Sequence, residues 1–172
     1  MIGKAALLIA YAIIVIGAIT MMVVLQRHGA PLKKAGHKIG ALELACTSGK
    51  AKTIIDDWGT ALKDLALEDI RFDYAFIALY TAALALSCFY GAIVWSGWLA
   101  RAGTILGWLM FVAGIMDVFE NLGMTAEIGG NYALAPLVFT VSAIKWIISI
   151  VAFLYSVPTI VRMLMKLPSL LR

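Results

Sequence analysis

Residues 103–124 read GTILGWLMFVAGIMDVFENLGM. The run is long enough to cross a bilayer, which takes about 20 residues of helix. Its last two turns, Ile115-Met116-Asp117-Val118-Phe119-Glu120-Asn121-Leu122, nevertheless carry two carboxylates and a carboxamide. Asp117, Glu120 and Asn121 stand at i, i+3 and i+4, so all three leave the helix on one face. Gly103, Gly107 and Gly114 precede them on about the same face, where a neighbouring helix can approach closely. Ionisable groups at this depth are costly, so they must face protein or water and find partners.

Composition extends that reading to the whole chain. Of 172 residues, 63% are hydrophobic and 14% charged, against about 25% charged in a soluble domain. The apolar excess is gathered in runs of span length, so residues 1–172 read as a single membrane domain. A net charge of +4 dispersed over the flanks suits anionic lipid and not nucleic acid. Cys46 falls in a loop and Cys88 in a span, which indicates neither a disulfide framework nor a thiolate metal site. His28 and His37 both belong to the first loop, so bis-histidine haem ligation within the membrane has no support. No cofactor is predicted, and the question of a metal stays open.

The expected fold is all-α, an integral membrane four-helix bundle with an amphipathic helical segment between spans 1 and 2. Residues 5–25 form the first span, because the run exceeds a signal-peptide core and Gln26-Arg27-His28 is no small-residue cleavage site. A basic loop follows. In residues 41–71 the apolar positions Ile54, Ile55, Trp58, Leu62 and Leu65 recur at helical spacing against a charged face of Asp56, Asp57, Lys63, Asp64, Glu68 and Asp69. Thr47 or Ser48 caps its start and Gly59 breaks it. Such a segment lies in the interface plane or packs over the bundle end, and a lid is the favoured reading. Spans 74–98, 103–124 and 135–156 follow. Trp95 and Trp98 form an aromatic belt, residues 127–132 a turn, and Pro136 the first turn of the last span. Pro158 ends or kinks that helix, and residues 157–172 form a basic amphipathic tail on the membrane surface. Arg27, Lys33, Lys34 and Lys38 favour a cytoplasmic first loop, whereas Arg101, Arg162, Lys166 and Arg172 argue for the reverse.

Up-and-down threading alone brings the polar groups together. Asp73 enters the second span on the side where Asp117, Glu120 and Asn121 leave the third, and the fourth begins there too. Asp117 lies about 10 Å in from Met124, and Lys145 about 15 Å in from Ala135. The lysine side chain leans towards its own helix N-terminus, towards the carboxylates. Tyr80 lies one heptad inside Asp73, with Ser87 beyond it, and Ser142, Lys145, Ser149 and Ser156 form another stripe. Each stripe is expected to face inward. Asp73, Asp117 and Glu120 outnumber Lys145, and a buried surplus of carboxylate is resolved by protonation, a bound cation or water access.

Two readings stand side by side. The cluster either fixes helix packing and register or forms a proton, cation or headgroup site. Catalytic templates fit poorly, since no phosphate loop, Ser–His pair or HExxH accompanies the acids, and no catalytic residue is assigned. Met110, Met116 and Met124 read as packing filler, and Trp58 as an interfacial anchor.

The chain also resembles a family of small bacterial four-span membrane proteins. The matching pieces are Leu42-Glu43-Leu44-Ala45, Trp58, Asp73-Tyr74-Ala75-Phe76-Ile77-Ala78-Leu79-Tyr80, Asp117-Val118-Phe119-Glu120-Asn121 and Lys145-Trp146. The resemblance supports the spans, draws Glu43 and Trp58 towards the cluster as loop contributors, and implies the bacterial inner membrane. It carries no activity with it. The expected function is a small accessory or binding protein and not a self-sufficient enzyme. The alternative is a proton- or cation-linked carrier or a lipid-headgroup binder using Asp117, Glu120 and Lys145. Its partners are the bilayer and either a larger membrane complex or further copies of itself.

Overall fold

The computed structural model describes the backbone of residues 2–170 and the side chains of residues 6–165. Helix α1 spans Ile2–His28, α2 Ala30–Lys34, α3 Ile39–Glu43, α4 Ser48–Val94 and α5 Gly97–Ile128. A 3₁₀ turn at Tyr132–Leu134 leads into α6, Ala135–Leu170. There is no strand among the described residues. Four helices, α1, α4, α5 and α6, are long and apolar enough to cross a membrane.

Burial is arranged apolar-out and polar-in. Ile93, Trp98, Ile105, Trp108 and Phe119 are exposed, whereas Asp117, Glu120, Asn121, Ser142, Lys145, Ser156 and Thr159 are buried. Lipid rewards that arrangement, because polar side chains there must be turned into the protein.

Helices α4, α5 and α6 make the packed centre, and α1 lies chiefly along α4. The α1–α4 pair is antiparallel, with Gly17 against Leu79, Tyr11 bonded to Ser87 and His28 to Asp69. Ser87 thus turns towards α1, not into the α4–α5–α6 centre where a stripe shared with Tyr80 would have put it. The α4–α5 contact is closest at the small residues. A Cβ on Gly103 would lie 2.6 Å from the Cys88 carbonyl, and one on Gly114 would lie 2.7 Å from Thr81 Oγ1. Met110 lies in the apolar cluster of that half with Ala85, Cys88, Ala113 and Ala152.

The other end is capped. Leu32, Leu42, Ile54, Ile55 and Trp58 pack over Ile70, Met124, Ile128 and Val138, so residues 30–58 form a lid on the bundle. Thr47 Oγ1 accepts a hydrogen bond from the Lys50 amide and caps α4. Trp58, expected as an interfacial anchor, is instead buried in this lid, and its Nε1 donates to the His37 carbonyl at 2.6 Å. Its apolar neighbours Ile54 and Ile55 draw it inward, and the carbonyl satisfies its one polar atom.

Several boundaries differ from the sequence reading. Residues 41–58 form the expected lid, but residues 60–71 are not separate from the second span. Helix α4 runs on from 60 to 94, broken only at Gly59, where φ is 63° and ψ −178°. This stretch is about 50 Å long, so its start projects beyond a hydrocarbon core of about 30 Å. The second span ends at Val94 and not at 98, because Ser96 is extended and Gly97, at φ 64°, opens α5. Glu127 is helical, and the turn begins after Ile128. Pro158 does not end α6. Thr159 Oγ1 accepts from Trp95 Nε1 at 2.9 Å and donates to the Tyr155 carbonyl at 3.1 Å; such neighbouring bonds let membrane helices tolerate proline. Of the charges in the tail and the N-terminal flank, the side chains of Lys4, Lys166 and Arg172 lie outside the described residues.

Candidate functional site

The site is built where α5 and α6 run antiparallel and the lid closes over them. Asp117 and Glu120 are one turn apart on α5 and face Lys145, which stands one turn from Ser142 on α6. Lys145 Nζ donates to Asp117 Oδ1 at 2.8 Å and to Glu120 Oε1 at 2.9 Å. Ser142 Oγ donates to Glu120 Oε2 at 2.6 Å, and Tyr80 OH, from α4, donates to Asp117 Oδ2 at 2.7 Å. Each of these two carboxylates therefore receives one ammonium bond and one hydroxyl bond. That network is closed. Charge-assisted bonds of this kind are shorter and about twice as strong as neutral ones, and here they join three helices.

A second polar group adjoins it and is not closed. Asn121 Nδ2 donates to Asp73 Oδ2 at 2.8 Å. Asn121 is 1% exposed, yet its Oδ1 has no hydrogen-bond partner among the described residues. The amide thus turns its NH₂ group to Asp73 and its Oδ1 away from it. Glu43, at the end of α3, accepts from Trp146 Nε1 at 3.3 Å. Glu43, Asp73, Asp117 and Glu120 thus set four carboxyl groups around one lysine.

Two cavities meet at this open group. The larger, about 630 Å³, lies under the lid among Lys33, Lys38, Asp69 and Asn121. The smaller, about 360 Å³, runs between α4 and α6 and is lined by Tyr80, Leu84, Lys145, Ser149, Ile150 and Phe153. Both are lined by Glu43, Asp73 and Trp146. Ile150 and Phe153 are exposed on the outer surface, so the smaller cavity is a groove with a polar inner end and an apolar outer wall. Trp146 stands at the junction with its ring 5.4 Å from Lys145 Nζ.

The expected residues Asp73, Tyr80, Asp117, Glu120, Asn121 and Lys145 are therefore brought together, and Glu43 joins them from the lid. Trp58 does not line either cavity. Two buried acids lay outside the sequence reading of the site. Asp69, read there as part of a solvated face, is 2% exposed and bonds His28 Nδ1 at 3.2 Å. Burial holds its carboxyl above the ordinary carboxylate range, while the His28 bond and charge pull the other way. Its place four residues before Asp73 was the available signal, because that spacing shares a helix face. Glu127 is fully buried with neither carboxylate oxygen bonded among the described residues, and nothing in its local pattern distinguishes it from a turn residue. Among the described residues no group of three or more His, Cys, Asp or Glu is arranged to hold a metal ion.

No family model, curated protein or solved structure matches this chain. The resemblance to the four-span bacterial family thus stands on its short motifs alone.

Proposed function

We propose that the protein is an integral membrane protein of the bacterial inner membrane that binds a ligand between α4 and α6 and does not transform it. The long first loop faces the cytoplasm in this reading, following the basic residues Arg27, Lys33, Lys34 and Lys38. The observation that carries the proposal is the pair of cavities joined at Glu43, Asp73 and Trp146. The Lys145 network is closed, and its role in this reading is to hold α4, α5 and α6 in register. The Asp73–Asn121 pair beside it leaves Asn121 Oδ1 buried without a partner among the described residues. Ligand sites of this volume, mostly apolar with a few convergent polar groups, are the usual form of small-molecule sites. The site has no activated nucleophile, which argues for binding over turnover.

The test is the composition of the gently purified chain. A co-purifying amphiphile near one per chain, lost in an Ile150→Trp variant that fills the groove, is the expected result. An equal amount in both proteins, or turnover of a substrate by the isolated chain, would remove the proposal.

A further inference from the structure

We infer that the ligand is a long-chain amphiphile bearing a cationic amine, its ammonium held at the junction of the two cavities and its chain lying along the α4–α6 groove. This rests on the binding role proposed above and specifies the ligand's chemistry. The junction presents the carboxyl groups of Glu43 and Asp73, with the Lys145 ammonium beside them in the smaller cavity. Asp73 has one oxygen bonded to Asn121 Nδ2, and Glu43 has one oxygen bonded to Trp146 Nε1. Asn121, whose buried Oδ1 has no partner among the described residues, lines the larger cavity with them. An ammonium carries three donors and no acceptor, so it matches these carboxyl groups.

Lys145 does not cancel that charge. Its ammonium is bonded to Asp117 and Glu120, which leaves Glu43 and Asp73 without a cation bonded to either among the described residues. Beyond the junction, Lys33 and Lys38 line the larger cavity and are exposed. Asp69 lines that cavity with them, so a headgroup reaching past its ammonium meets charge of both signs there. In the other direction Leu84, Ile150 and Phe153 supply an apolar wall that opens sideways on the exposed surface, which admits a chain from lipid without passage through water.

Three probes of equal chain length separate the possibilities: dodecylamine, dodecanol and dodecanoate, titrated against the full chain in neutral maltoside detergent and read by native mass spectrometry. Dodecylamine is expected to bind one per chain, about tenfold or more tighter than dodecanol, with dodecanoate weakest. Glu43→Gln and Asp73→Asn should each sharply reduce that preference, read as the ratio of dodecylamine to dodecanol affinity in the same variant. Glu43 is partly exposed on the lid, so its variant keeps the test sound if the Asp73 variant folds poorly. Equal binding of all three probes would overturn the cationic assignment while leaving a groove binder. Preference for dodecanoate would overturn it in favour of the two lysines. If no probe binds, or all bind the Ile150→Trp variant equally, the groove reading itself falls.

Discussion

Lys145 Nζ and Asp117 Oδ1 lie 2.8 Å apart in the α5–α6 contact, with both residues at most 7% exposed at their side chains. Breaking such a buried pair from one side leaves an uncompensated charge and costs about 3–5 kcal/mol, whereas replacing all partners with apolar groups can be nearly neutral. Lys145→Met should therefore lower the thermal midpoint sharply in detergent. Adding Asp117→Leu or Glu120→Leu should each restore part of it, because the remaining acid keeps its hydroxyl partner, Ser142 or Tyr80. The triple variant should come nearest to wild type. Strict additivity of the single effects would mean the three residues are not coupled.

Gly103 sits where α4 and α5 touch backbone to backbone. A methyl group there would lie 2.6 Å from the Cys88 carbonyl and 2.8 Å from the Ala92 nitrogen, neither of which can rotate away. Gly103→Ala should destabilise by about 1–3 kcal/mol, the usual range for overpacking. Gly49→Ala is the control. That glycine is exposed in the first turn of α4 with nothing within 4 Å, so the change should be neutral or stabilise by about 0.5–1 kcal/mol. Equal losses in thermal midpoint for the two variants would contradict the close α4–α5 approach.

At Gly59 the penalty is conformational. Its φ of 63° and ψ of −178° fall in a region nearly confined to glycine, and nothing lies within 4 Å of its Cβ position. Gly59→Ala should cost about 1–3 kcal/mol and act on the lid. Limited proteolysis between residues 30 and 58 should accelerate, while residues 60–94 of α4 and helices α5 and α6 stay protected. A variant as resistant as wild type would mean that the break does not set the lid's position.

Burial of Trp58 gives a further check. Trp58→Phe keeps most of the apolar volume but removes the donor to the His37 carbonyl, and leaving such an acceptor unpaired costs about 1–3 kcal/mol. The wild-type Trp58 should be shielded from aqueous quenchers while Trp98, 75% exposed, responds to lipid-phase quenchers. Free quenching of Trp58 from water would place it at the surface, as the sequence alone had suggested.

Much of the site was legible because helical spacing and threading are strong constraints. Asp117, Glu120 and Asn121 share a face whatever the neighbour, and the lean of a lysine towards its helix N-terminus brings Lys145 to the same depth. What spacing cannot give is the identity of the facing helix. Tyr80 and Ser87 are one heptad apart, yet one bonds α5 and the other α1. Spacing puts Asp69 on the charged face of residues 41–71, and only the packing of α1 against α4 shows that its turn is covered. Glu127 reads as a turn residue because Gly129 and Gly130 follow it, although the helix runs one residue past it. A tryptophan near a span end is as readily a lid residue as a belt residue, and Trp58 is the former.

The central claim, a ligand groove between α4 and α6, is tested most directly by photo-crosslinking. A dodecylamine carrying a diazirine near its chain end, bound to the purified chain and activated by light, should label Leu84, Ile150 and Phe153, with excess unlabelled dodecylamine suppressing the adducts. Adducts scattered over other exposed apolar positions such as Ile9, Ile13 and Trp108, and indifferent to competitor, would contradict the groove.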